Sequence, residues 1–142
     1  MSIEKLRFYL WDGAGMIASL IEKWEPKGCR TEKHYETSLY EFLHDNLRDL
    51  QVTKQFAKGR VRADLAVEGK LIIELKNNVD STPKFHRLVG QLTDYETWGG
   101  AVFLVLCGKT DRNLLKEIRK HLEQRKNSFS FMQDHRFQLF EK

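Results

Sequence analysis

Residues 101–107 read Ala-Val-Phe-Leu-Val-Leu-Cys, with no polar side chain among them. The run has the length of a strand, and a strand that is apolar on both faces must lie inside a sheet covered from both sides. The rest of the chain therefore has to supply helices for two layers and further strands to flank this one. The periodicity of the sequence provides both.

Apolar residues at helical spacing (Leu6, Tyr9, Leu10, Met16, Ile17, Leu20, Ile21 and Trp24) predict helix over residues 3–24, with Gly13 and Gly15 able to split it. Pro26 and Gly28 punctuate the chain, and Thr31 is a ready N-cap for a helix over 32–47 with Tyr35, Leu39, Phe42 and Leu43 on its apolar stripe. From Leu50 the period becomes alternating, predicting strands at 50–56, 60–67 and 70–76, the last two joined by a turn at Glu68-Gly69-Lys70. Ser81 and Thr82 before Pro83 start a helix that runs to about Trp98, with Phe85, Leu88, Val89 and Leu92 inward, and Gly99-Gly100 ends it. After the apolar strand come an amphipathic helix over 112–126 and short strands at 129–132 and 136–140. The order implies an α/β fold: a mixed central β-sheet flanked by helices, with an N-terminal helical extension.

Composition sets the class of protein. A chain of 142 residues suits one domain, read as an extension at 1–28, a core at 31–107 and a tail at 108–142. No apolar run is long enough to span a bilayer, and Glu4, Lys5, Arg7 and Asp12 interrupt any signal-peptide core, so a cytoplasmic protein with no membrane partner is the expectation. Cys29 and Cys107 lack CxxC spacing and are read as reduced thiols; the five histidines have no metal-ligand spacing. A net charge of +4 suits a polyanionic partner without proving one.

Chemistry concentrates on the second hairpin. A three-residue turn at 68–70 sets Val67 opposite Leu71 and Asp64 opposite Glu74. In that register Val61, Ala63, Leu65, Val67, Leu71, Ile73 and Leu75 share one face, while Asp64, Glu74 and Lys76 share the other. Opposed side chains have Cβ atoms about 4.5–5.5 Å apart, so two carboxylates there can reach one hard cation such as Mg²⁺. The alternative is a surface hairpin whose carboxylates are solvated or paired with Lys70 and Arg62.

Residues 59–76, Gly-Arg-Val-Arg-Ala-Asp-Leu-Ala-Val-Glu-Gly-Lys-Leu-Ile-Ile-Glu-Leu-Lys, resemble the core motif of the PD-(D/E)XK nuclease superfamily. Asp64 ends one half-motif, and Glu74-Leu75-Lys76 supplies the E-x-K half on the next strand; Ala63 stands where many members have proline. Gln91 and Tyr95 resemble the accessory Q-x-x-x-Y element, and Glu36 with Leu39 and Leu43 resembles the family's E-x-x-L-x-x-x-L helix. The resemblance covers roughly residues 31–107.

It implies a restriction-endonuclease-like core, also seen in Holliday-junction resolvases, and Mg²⁺-dependent hydrolysis of phosphodiester bonds, with Mn²⁺ as a substitute. DNA is the expected substrate and endonucleolytic cutting the expected mode. On this reading Asp64, Glu74 and Glu36 are metal ligands, with Glu32 as the other helix carboxylate at i, i+4 spacing. Lys76 sits beside the attacking water, and Gln91 positions the lysine or the phosphate. Arg62, Lys84, Arg87 and Tyr95 border the site and contact nucleic acid, though a basic helix face is often merely solvated. A chain this small implies a homodimer if both strands are to be cut at once. Two other readings stay open: a catalytically inactive nuclease-fold module that binds nucleic acid or a protein, and a structural domain whose hairpin charges are incidental.

Overall fold

The computed structural model describes residues 1–127 and 136–142. Its centre is a five-stranded mixed sheet in the order β1 (Val52–Lys58), β2 (Val61–Val67), β3 (Leu71–Asn77), β4 (Val102–Cys107) and β5 (Phe137–Glu141). The first three strands pair antiparallel, and β3–β4 and β4–β5 pair parallel. Helix α4 (Thr82–Asp94) links β3 to β4, and α5 (Arg112–Asn127) follows β4. Both pack on one face of the sheet, where Leu88, Leu92, Leu115, Ile118 and Leu122 meet Ile72, Val102 and Leu104. The other face buries Leu65, Ile73, Leu75, Phe103 and Val105 under α2 (Gly13–Lys23) and α3 (Glu32–Asn46). Every residue of β4 is buried, as its unbroken apolar sequence requires. The expected strand at 129–132 lies outside the described residues.

Local chemistry explains the helix starts. Thr31 and Ser81 cap α3 and α4 by accepting the His34 and Lys84 N–H groups. The N-terminal run breaks earlier than its glycines suggest: α1 (Ile3–Leu6) passes into a π-helical stretch, Arg7–Asp12, before Asp12 caps α2 through the Gly15 N–H at 2.9 Å. The wider turn shifts the helix phase. Phe8 is buried, while Tyr9 and Leu10, expected on the inner stripe, are exposed. Glu4 anchors the segment by accepting the backbone N–H groups of Arg48, Asp49 and Leu50.

The β2–β3 turn has the odd length that the apolar pattern demands, with Val67 opposite Leu71, Ala66 opposite Ile72 and Leu65 opposite Ile73. Glu68 and Gly69 carry the left-handed backbone, with φ of +55° and +62°. Pairing stops at Leu65. On the other side of β2 the β1 ladder runs in constant register but skips Gln55, which faces Asp64 and has φ of +51°. Beyond this crease the ribbon changes sides. Val52 and Val67 belong to the α2/α3 layer, whereas Phe56, Val61 and Ala63 pack with the α4/α5 layer. Val61 and Ala63 therefore do not share a face with Leu65 and Val67, contrary to strict alternation. The free end of the hairpin folds back over the sheet until Phe56 meets Trp98 edge-to-face at 5.6 Å.

Candidate functional site

The crease determines how Asp64 is presented. Because β2 leaves β3 at this point, the Leu75 N–H has no strand partner, and the Asp64 carboxylate accepts it at 2.8 Å. A ladder bond is replaced by a side-chain bond that aims the carboxyl group along β3. Glu74 lies on the same sheet face as Ile72, beneath α4, and is 3% exposed. The polar side of the hairpin is thus a covered niche rather than an open surface.

Gln91 and Tyr95 cover it. Gln91 donates from Nε2 to Glu74 Oε2 at 2.9 Å, and the Tyr95 hydroxyl reaches the same oxygen at 2.6 Å. Tyr95 also lies 2.6 Å from the Arg62 carbonyl oxygen, which ties the creased hairpin to the end of α4. Gln91 thus contacts Glu74 directly. Tyr95 is 1% exposed, so it supports the site from inside and has no surface for nucleic acid. Helix α4 ends at Asp94, and the 3₁₀ turn Tyr95–Thr97 swings that ring inward.

Asp64 and Glu74 lie close enough to oppose each other's ionisation, so a proton shared between the two carboxyl groups relieves their repulsion. Burial, the contact with Asp64 and its negative charge push the Glu74 pKa up to about 9, against the opposing pull of the Tyr95 bond and the Lys76 ammonium. Without a cation, Glu74 holds its proton at neutral pH. The Tyr95 hydroxyl is raised too, mainly by burial and by Glu74. Lys76, two residues along β3, is half-buried and forms no ion pair within contact distance among the described residues.

No family model matches the chain, and comparison with curated proteins and with solved structures finds no similar protein. The site has to be judged on its own chemistry.

Glu36 is buried, but its oxygens are occupied: Gln55 donates to Oε1 at 2.6 Å, and Lys33 lies 3.7 Å from Oε2. Among the described residues no group of three or more His, Cys, Asp or Glu side chains is gathered to hold a metal ion, so the expected three-carboxylate set is not assembled. Gln55, turned by its left-handed backbone, has taken Glu36. Glu32 feels the site more directly. Burial raises its pKa, the Lys76 ammonium opposes the rise, and the Asp64 charge adds to it.

The pair alone still suits a hard cation, since Mg²⁺ commonly takes one or two carboxylates and keeps several waters. One oxygen of each carboxyl is fixed by N–H or O–H donors, Asp64 Oδ2 by Leu75 and Glu74 Oε2 by Gln91 and Tyr95. Their remaining oxygens are available to a shared proton or cation. Gln91 Oε1 is buried with no protein partner among the described residues, and it would accept a hydrogen bond from a water in the niche.

The basic residues divide. Lys84 is bound by Asp80 and the Asn78 carbonyl, both at 3.0 Å, whereas the Arg87 and Arg62 side chains are exposed without an ion pair among the described residues. Gln55 and the crease were missed from sequence. A signal existed in β1, where Lys54 falls in phase with the apolar Val52 and Phe56 and so disrupts the alternation.

Proposed function

We propose that this chain is a metal-dependent phosphodiesterase acting on nucleic acid, a nuclease of the PD-(D/E)XK type. The observation that carries the reading is the Asp64–Glu74 carboxyl pair, oriented by the Leu75 N–H, Gln91 and Tyr95, with Lys76 two residues along the same strand. A buried carboxyl group that is neutral in the free protein costs little to fold around and becomes a strong ligand once a cation replaces the shared proton.

Asp64 and Glu74 would hold Mg²⁺ or Mn²⁺, which when bound supplies a Lewis acid for a phosphoryl oxygen and lowers the pKa of a coordinated water. The protein's own residues do the positioning. Gln91 and Tyr95 keep Glu74 Oε2 in place, so its other oxygen faces Asp64. Lys76 places a cation where negative charge develops on the phosphate, and it orients the attacking water. DNA is the polymer we favour, with two copies acting together on a duplex.

The test is hydrolysis of linear, branched and single-stranded DNA and of RNA by the purified protein, with Mg²⁺, with Mn²⁺ and with chelator. Cleavage that needs the ion and disappears in Asp64→Asn supports the assignment. Calorimetry that finds no Mg²⁺ or Mn²⁺ binding, together with absent cleavage, leaves the carboxyl pair a structural hydrogen bond and refutes it.

A further inference from the structure

The crease at Gln55 and Asp64 also carries the tip of the β1–β2 hairpin across the sheet, and this tip is the most basic short segment near the niche. Residues 57–62 read Ala-Lys-Gly-Arg-Val-Arg, turning at Gly59 with φ of +61°. Ladder partners Ala57 and Arg62 face away from the buried Val61 and Ala63. Lys58 shares the inner side and lines a cleft of about 310 Å³ with Gly69, Lys70, Trp98, Gly99 and Gly100. Lys58, Arg60, Arg62 and Lys70 are all exposed, and among the described residues none of their side chains has an ion-pair or hydrogen-bond partner.

We infer that this hairpin tip is a nucleic-acid arm, gripping phosphates of the strand that runs into the Asp64–Glu74 niche. Three observations support it. Four cations without partners stand on one short ribbon and the neighbouring turn, an arrangement that repels itself unless a polyanion lies between. The arm is held in place at its base, by Tyr95 on the Arg62 carbonyl and by Gln55 on Glu36, so it meets a ligand without large ordering cost. It also shares residues with the niche, because the Arg62 carbonyl and Glu74 bind the same Tyr95 hydroxyl. On α4, among the described residues, Lys84 is already engaged and Arg87 stands as a single unpaired cation, whereas the hairpin and its neighbouring turn gather four. Contacts of this kind read charge and spacing, so the arm discriminates little among sequences.

The inference rests on the reading that the chain acts on nucleic acid, but it can fail separately. Fluorescence anisotropy with labelled duplex DNA, single-stranded DNA and RNA should be followed across a salt series in Ca²⁺, for wild type, Lys58→Ala/Arg60→Ala, Lys70→Ala and Lys84→Ala. Removing two phosphate contacts should lower the slope of log affinity against log salt by about 2, with a smaller drop for Lys70→Ala and none for Lys84→Ala. The tip is exposed, so these variants should fold, and circular dichroism checks this. An unchanged slope in the double variant overturns the arm even if metal-dependent cleavage persists. Failure of wild type to bind any of the three polymers, or preference for anionic vesicles over them, overturns it as well. A wild type that never cleaves but binds through the tip would keep the arm and discard the nuclease.

Discussion

Glu74→Gln separates the proton from the carboxyl group. In the metal-free protein the amide reproduces a protonated acid: its oxygen accepts from Gln91 and Tyr95, and its NH₂ donates to Asp64. The folded-state pKa of Glu74 is raised from 4.5 to about 9, so the native state holds a proton that the unfolded chain releases. Stability from this group is fully present below about pH 4.5 and is lost as pH rises towards 9. Wild type should therefore weaken relative to Glu74→Gln by up to about 1.4 kcal/mol per pH unit across that window, a few kcal/mol in all. Urea denaturation of both proteins in chelator, at unit steps from pH 5 to 9, measures the difference directly. Adding Mg²⁺ at pH 8 should restore wild type by about 2.7 kcal/mol at a hundredfold excess over Kd and leave the variant unchanged. A wild-type-minus-variant difference that is flat from pH 5 to 9 would refute the shared proton, and with it the physical basis of the site.

Lys76→Ala should abolish turnover while calorimetric Mn²⁺ affinity stays within a few-fold, since an ammonium is no ligand; a large affinity loss would reassign it. Asp64→Ala removes the acceptor of a backbone N–H and should cost about 1–3 kcal/mol in denaturant melts, whereas Asp64→Asn keeps that bond and should melt closer to wild type. Tyr95→Phe strips two contacts from a buried hydroxyl and should lower stability by about 1–3 kcal/mol, with faster proteolysis within residues 57–62, as read by mass spectrometry. Glu36→Gln should leave Mn²⁺ affinity nearly unchanged in calorimetry, because Gln55 and Lys33 hold that carboxylate; a tenfold loss would restore Glu36 as a ligand.

What the sequence disclosed and what it hid divide along the range of the interactions. Facing within β2 and β3 near their turn is a two-residue repeat, and a shift by one would have turned Glu74 and Lys76 onto the face that carries Leu65 and Val67, so the odd turn was legible. The apolar strand at 101–107 likewise announced its two covered faces. The crease was not legible in β2, because Val61, Ala63, Leu65 and Val67 keep one two-residue phase on either side of the bend. Tyr95 sits three residues after Leu92 and four after Gln91, on the border between the core stripe and the polar stripe, and only the docking of α4 decides its side. The burial of Glu74 followed the same way. A carboxyl group facing away from one apolar layer reads as solvent-exposed until the helix that covers it is in place.

The crease is the feature from which the rest of the site follows. A continuous β2 would pair its backbone with β3 past Leu65 and satisfy the Leu75 N–H in the ladder, leaving the Asp64 carboxylate without its anchoring donor. Breaking the ladder there turns the carboxylate into a backbone acceptor, fixes its orientation and sets it against Glu74. The same break needs a residue on β1 to absorb the bend. Gln55 does so with a left-handed backbone, and its side chain then binds Glu36 on α3, so the helix on one face and the hairpin folded onto the other become a single mechanical unit. On the far side, the Arg62 carbonyl is carried to Tyr95, which also holds Glu74. Strain at one backbone position is thus coupled to both carboxyl groups and to the basic tip. An unbroken hairpin would still set Asp64 opposite Glu74 in register, but without the free Leu75 N–H that orients the carboxylate and without the basic tip folded over the sheet.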